Sequence, residues 1–255
     1  MADYDNRVAR ASTTTDVIDA GLRAYMLRIY NYMLAGLAIT GVASYGTYLA
    51  AVTTDPAAAA ARLPNGIMLT SLGVALFSGP LMWVLLLGSL GLVMFLSFRI
   101  NKMSVAAAQT SFLAYAALVG VTFGSLFVVY TQASIAQVFF ITAATFGAMS
   151  LWGYTTKASL AGFGSFLFMG LIGLIIAMVV NIFLHSTMMA FIISAAGVLI
   201  FTGLTAYDTQ WIKNNYSAGD DNIVAGRKAI FGALKLYLDF INLFLMLLRL
   251  MGNRR

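Results

Sequence analysis

Long apolar runs separated by short charged or polar breaks set the rhythm of this chain. A Lys, Arg or Asp at the centre of a membrane helix costs about 2.5–3.5 kcal/mol on insertion scales, so charges mark where such helices end. Residues 29–54, after Arg28, form one run rich in Leu, Ala and Tyr and punctuated by Gly36, Gly41 and Gly46. This is the first predicted span. The next run, 63–98, contains Pro64 and Pro80. Its part from about Leu81 is the second span, and 65–79 is read either as interfacial or as an extension of that helix. Residues 103–156 are free of charge over 54 positions, and the break Tyr130-Thr131-Gln132-Ala133-Ser134 divides them into spans three and four. Residues 158–207 lack a fixed charge, and His185-Ser186-Thr187 divides them into spans five and six. A polar loop with Gly219, Asp220 and Asp221 leads to the seventh span, which has Lys235 and Asp239 inside it.

Composition agrees with this pattern. The 255 residues are 61% hydrophobic and 9% charged, too few charges to cover a water-soluble globule of this size. A bilayer core about 30 Å thick takes helices of roughly 20 residues, which accounts for seven crossings. The expected fold is an all-α integral membrane protein, a seven-transmembrane-helix bundle spanning 25–250, with a polar N-terminal tail (1–24) and a basic C-terminal tail (251–255). Nothing marks a second, soluble domain, and no cleaved signal peptide is expected from the mixed charges of residues 1–24. Zero Cys excludes disulfides and thiol chemistry, and one His excludes a multi-His zinc cluster; no cofactor is expected.

The net charge of +6 does not point to nucleic acid, because the Lys and Arg are scattered over the connections instead of forming a stripe. They read as topology signals. With the N-terminus inside, the cytoplasmic segments hold Arg7, Arg10, Arg23, Arg28, Arg99, Lys102, Lys157, Lys213, Arg227 and Lys228, against Arg62, Arg249, Arg254 and Arg255 outside. The N-terminus is therefore expected in the cytoplasm. Seven crossings put the C-terminus outside, although its three arginines leave open a last helix that re-enters and returns.

All nine acidic residues are Asp, and only Asp208 and Asp239 fall within spans. An ionisable group inside a span must find a partner or a wet cavity, so both are functional candidates. Lys235, Asp239, Asn242, Met246 and Arg249 follow spacings of four and three and so share one helix face, while the remaining faces of the seventh span are apolar. Such a helix belongs at the centre of the bundle with its stripe toward a polar interior. On the sixth span, Thr202, Thr205 and Asp208 form a shorter polar face. Asp208 is five residues from Lys213, about 7 Å along the helix, and Asp239 is four from Lys235, about 6 Å. The two carboxyls are thus expected at one level near the cytoplasmic side.

Two carboxyls in a poorly hydrated site cannot both ionise cheaply. Sharing one proton, they hold together; fully ionised, they separate or attract a cation. Such a pair is a pH switch coupled to cation access, and a calcium ion held by Asp208 and Asp239 alone would be bound weakly or transiently, far short of its usual six to eight ligands. A plainer reading stands beside this one: Lys235, one turn from Asp239, neutralises it, while Asp208 caps or solvates the polar loop. Arg99, closing the second span, is either a charged latch for a carboxyl or an interfacial cation. His185 is expected in solvent, and Asn181, Gln109 and Gln137 as interhelical hydrogen-bonding groups. A diaspartyl protease is not expected, since Leu236-Tyr237-Leu238-Asp239 lacks the glycines that let a substrate backbone approach.

Ala206-Tyr207-Asp208-Thr209-Gln210-Trp211-Ile212-Lys213, followed by Leu236-Tyr237-Leu238-Asp239-Phe240-Ile241-Asn242-Leu243-Phe244, resembles the signature of the transmembrane Bax inhibitor motif family, in its bacterial YccA/YetJ branch. The resemblance extends over the seven-span layout, including Arg99-Ile100-Asn101-Lys102-Met103 after the second span. It implies six helices around a central seventh in the bacterial inner membrane, with Asp208 and Asp239 as a pH sensor gating a calcium leak. It also implies that Arg99 bonds the aspartate pair in the closed state. Lys235 departs from the pattern, as does the lack of an acidic residue in the second span. A second implied role needs no ion movement: regulation of a membrane-bound protease such as FtsH, or of a stress response, with the N-terminal tail as the handle.

Overall fold

The computed structural model describes residues 2–255, with side chains from Ala20 onward. Much of the polar tail expected at 1–24 therefore lies outside the described side chains. Among the described residues, seven helices are long and apolar enough to cross a membrane. The first, α1 (Ala2–Ala51), carries its apolar span from Ala20, well before Arg28. Arg23 and Arg28 lie on its exposed side, where long basic side chains reach toward the headgroups. The others are α3 (Pro80–Arg99), α4 (Val105–Phe123) continued by α5 (Leu126–Val129), α6 (Gln132–Thr155), α7 (Ala161–Leu184), α8 (Thr187–Asn214) and α9 (Asn222–Met251).

The breaks follow local chemistry. Thr131 caps α6 by accepting from the Ser134 amide, and Ser186 caps α8 by accepting from Met189. His185 ends α7 in a left-handed conformation with φ 50° and is exposed, as expected. Asp221 caps α9 through the Val224 amide. Asn181 turns out not to bridge helices: its side-chain oxygen accepts from the Ser186 amide and closes its own turn. Gln109 and Gln137 make no interhelical hydrogen bond among the described residues.

Residues 65–79 do not extend the helix of the second span. Strands β1 (Val52–Thr53), β2 (Ala61–Arg62) and β3 (Met68–Leu69) form a small antiparallel sheet in the order β1-β3-β2, and α2 (Ser71–Phe77) folds back on α1. Pro80 then opens α3, where a missing amide hydrogen costs nothing. This lobe reaches the connection between spans three and four, since the Asn65 side-chain amide donates to the Val128 carbonyl at 3.1 Å. The C-terminal residues join the same face. The Thr131 amide donates to the Asn253 carbonyl, and the Arg255 amide to that of Val129. The continuous α9 thus ends on the face that carries the first connection, and no re-entrant turn is present.

Helix α9 is the axis of the bundle, packed against α1, α4, α6 and α8. Of the outer helices, α3 packs chiefly on α4, and α7 on α8. Small residues make the close approaches, as is usual where helices cannot be driven together by water. Gly153 of α6 lies against the backbone of Ala206, so that an added Cβ would overlap the Ala206 carbonyl oxygen. Gly41 of α1, by contrast, faces open space. Replacing Gly153 with Val should therefore cost about 1–3 kcal/mol through overpacking of α6 on α8, whereas Gly41→Ala should be neutral or stabilising; melting in detergent micelles measures both.

Candidate functional site

The axial position of α9 sets the chemistry of its polar stripe. Asp239, in mid-helix, is 5% exposed, and Asp208, six residues before the end of α8, is 6% exposed. Lys235, one turn before Asp239 on α9, reaches Asp208 on α8, so the two buried carboxyls lie in the same neighbourhood of the bundle.

Their surroundings are asymmetric. The Lys235 ammonium donates to Asp208 Oδ1 at 2.6 Å and lies 4.8 Å from the centroid of the Trp211 ring, which is itself edged by Phe231. Lys235 therefore does not sit on Asp239, its neighbour one turn along the same helix, but crosses to α8. Asp239 receives no such cation, and its Oδ2 is buried without a hydrogen-bond partner. Thr202 Oγ1, on the polar face of α8, is the other buried side-chain atom without a partner among the described residues. Thr205 is satisfied by the Phe201 carbonyl and Asn242 by that of Leu238.

Arg99 does not reach this pair. It is exposed at the end of α3, a helix that packs chiefly on α4, and it forms no ion pair among the described residues. The tie between that corner and the axis is instead Arg227 of α9, whose guanidinium donates to the carbonyls of Met103 (2.5 Å) and Asn101 (2.9 Å). The sequence signals Arg227 only as a topology charge, because backbone carbonyl partners leave no pattern of their own.

Further polar contacts hold the helices around the pair. The Thr209 hydroxyl donates to the Thr205 carbonyl, so Ser150 donates to Thr209 and Tyr30 to Ser150 (2.6 Å), joining α8, α6 and α1. Tyr237 of α9, fully buried, meets Thr40 Oγ1 at 2.7 Å. Gln210 accepts from the Leu160 amide and donates to the Ala158 carbonyl, clamping the α6–α7 connection to α8, and Lys213 caps α6 at the Tyr154 carbonyl. No three His, Cys, Asp or Glu side chains converge on one point among the described residues. A cation arriving here would meet two carboxyls and complete its shell with water or backbone oxygen.

The family model for the inhibitor of apoptosis-promoting Bax1 matches residues 22–255. The chain belongs to this family. Among similar proteins, the inner membrane protein YbhL of Escherichia coli K12 is 46% identical over 239 residues, covering 92% of this chain and 94% of the relative. A Rickettsia prowazekii protein is 40% identical over the full length of both, and one from Borreliella burgdorferi is 54% identical over 166 residues, 65% of this chain and 72% of its own. Family membership agrees with the resemblance carried by the motifs around Asp208 and Asp239.

The Lys235–Asp208 pair is more enclosed than the surface pair Lys228–Asp220, also 2.6 Å. A double-mutant cycle of Lys235→Met and Asp208→Asn should give a coupling of about 1–3 kcal/mol in unfolding free energy, as for hydrogen bonds to charged groups. The Lys228–Asp220 cycle should give about 1 kcal/mol or less.

Proposed function

We propose that this protein is a pH-sensitive leak for calcium or a similar cation in the bacterial inner membrane, gated by Asp208 and Asp239, with its N-terminus in the cytoplasm. The reading rests on one observation: among the described residues, a buried carboxyl oxygen of Asp239 has no hydrogen-bond partner, beside a second carboxyl that bonds the Lys235 ammonium. An ionised, unpaired carboxylate at that depth is too costly to persist. Asp239 therefore keeps its proton and donates it to Asp208 when the bundle is closed. Loss of that proton leaves two negative groups and one ammonium in a dry site. The helices α8 and α9 then part, and water and a cation enter to offset the charge. Family membership and the inner-membrane description of YbhL support the setting.

Lys235 takes the latch role here. Its ammonium holds Asp208 on the α9 side and competes with an entering cation for the same oxygen. The calcium ion is cargo in this scheme and needs no closed coordination shell; two carboxyls provide a weak stop that an ion can leave again.

Flux measurements in proteoliposomes test the scheme. Asp239→Asn puts a neutral amide donor where the protonated acid stood, so calcium entry should stay low and lose its pH dependence across the neutral range. An Asp239→Asn curve identical to the parent's would remove Asp239 from the gate. In Lys235→Met, proton loss leaves two uncompensated negative charges instead of one, so the flux midpoint should move toward alkaline pH by about one unit or more. An unmoved midpoint would show that the ammonium does not act on the pair.

A further inference from the structure

Helices α1 and α6 flank α9 but hardly pack on one another. Between them runs a cavity of about 630 Å³, open on one side and almost wholly apolar, walled by residues such as Met33, Leu37, Phe139 and Phe146. On α1 it extends from Arg23 to Leu37, 14 residues or roughly 21 Å. One leaflet of hydrocarbon is about 15 Å deep, half the bilayer core, so the groove runs from headgroup level past the midplane. Because both walls are membrane-spanning segments, its open side faces acyl chains, not water.

The end at headgroup level is basic. Arg23 lines the mouth, and the Lys213 ammonium lies 5.2 Å from the ring centroid of Tyr154, another lining residue. A slender chain with a negative head matches both the shape and the charge. We propose that the α1–α6 groove seats one acyl chain of an anionic phospholipid from the surrounding bilayer, with its headgroup against Arg23 and Lys213.

This seat lies against the gate. Its floor includes Phe240, the residue after Asp239, and Ser150, whose hydroxyl donates to Thr209, the residue after Asp208. A chain lying there touches Phe240 directly and Thr209 only through Ser150, and its presence or loss changes the packing around the two carboxyls. The inference does not require cation flux, so it stands or falls separately from the proposed function.

The test uses the full chain in nanodiscs of equal phosphatidylglycerol and phosphatidylcholine, with a photoactivatable diazirine in the acyl chain of one lipid or the other, and crosslinks mapped by peptide mass spectrometry. The phosphatidylglycerol probe should label the α1 and α6 residues of the groove about five-fold more than the phosphatidylcholine probe, the preference that one basic contact near the surface confers. Arg23→Gln should remove most of that preference. Gly147 lines the groove and faces open space, so Gly147→Leu fills it without a clash and should cut groove labelling by both probes. Equal labelling of the parent by both probes overturns the headgroup assignment. Crosslinks confined to the outward faces of α3 and α7, or groove labelling unchanged in a folded Gly147→Leu, overturn the seat itself. The labelling map of the parent decides the matter even if a variant melts early.

Discussion

Hydrocarbon supplies no hydrogen bonds, and the architecture follows from that single deficit. Every polar side chain carried into the bundle must be met by another group of the protein, and the accounts almost close. Tyr30, Ser150 and Thr209 satisfy one another in sequence and end on a carbonyl; Thr40 and Tyr237 meet across α1 and α9; Gln210 spends both ends of its amide on one connection. Among the described residues, the two buried side-chain atoms left over are on α8 and α9, and one belongs to a carboxyl. An imbalance so localised, in a helix placed at the axis of the fold, is where a protein stores the capacity to change state.

Much of this is legible in the sequence. Charges and polar breaks located the seven spans because the penalty for a buried charge is large and local. The apolar surround of Lys235, Asp239 and Asn242 marked α9 as axial for the same reason, and helical spacing alone was enough to bring Asp208 and Asp239 to one level. What stayed hidden was of two kinds. Partners on backbone carbonyls, as for Arg227 and Lys213, leave no trace in residue spacing. The choice between partners was equally silent: Lys235 is one turn from Asp239, yet crosses to Asp208, because rotamer and interhelical distance decide which carboxyl an ammonium reaches.

One expectation failed, and one element left no signal. Arg99 was placed near the carboxyls by resemblance, but α3 packs outside α4 and keeps it at the surface. The small sheet after α1 is not legible in the sequence, because strands of two residues are too short for alternation to register. Their pairing is enforced from outside, by the return of the chain over the end of α1.

The Gln210 clamp carries a mechanical consequence. It fastens the α6–α7 connection to α8, and Lys213 fastens the end of α6 to the same helix, while Arg227 fastens α9 to the corner between α3 and α4. Tilting α8 alone would break buried bonds on every side. In the proposed gate, separation of the carboxyls would be a shear between two stiff bodies, α6 to α8 on one side and α9 with its neighbours on the other. The Lys235–Asp208 ion pair and the Tyr30–Ser150 hydrogen bond both cross that fault line and would resist the slip.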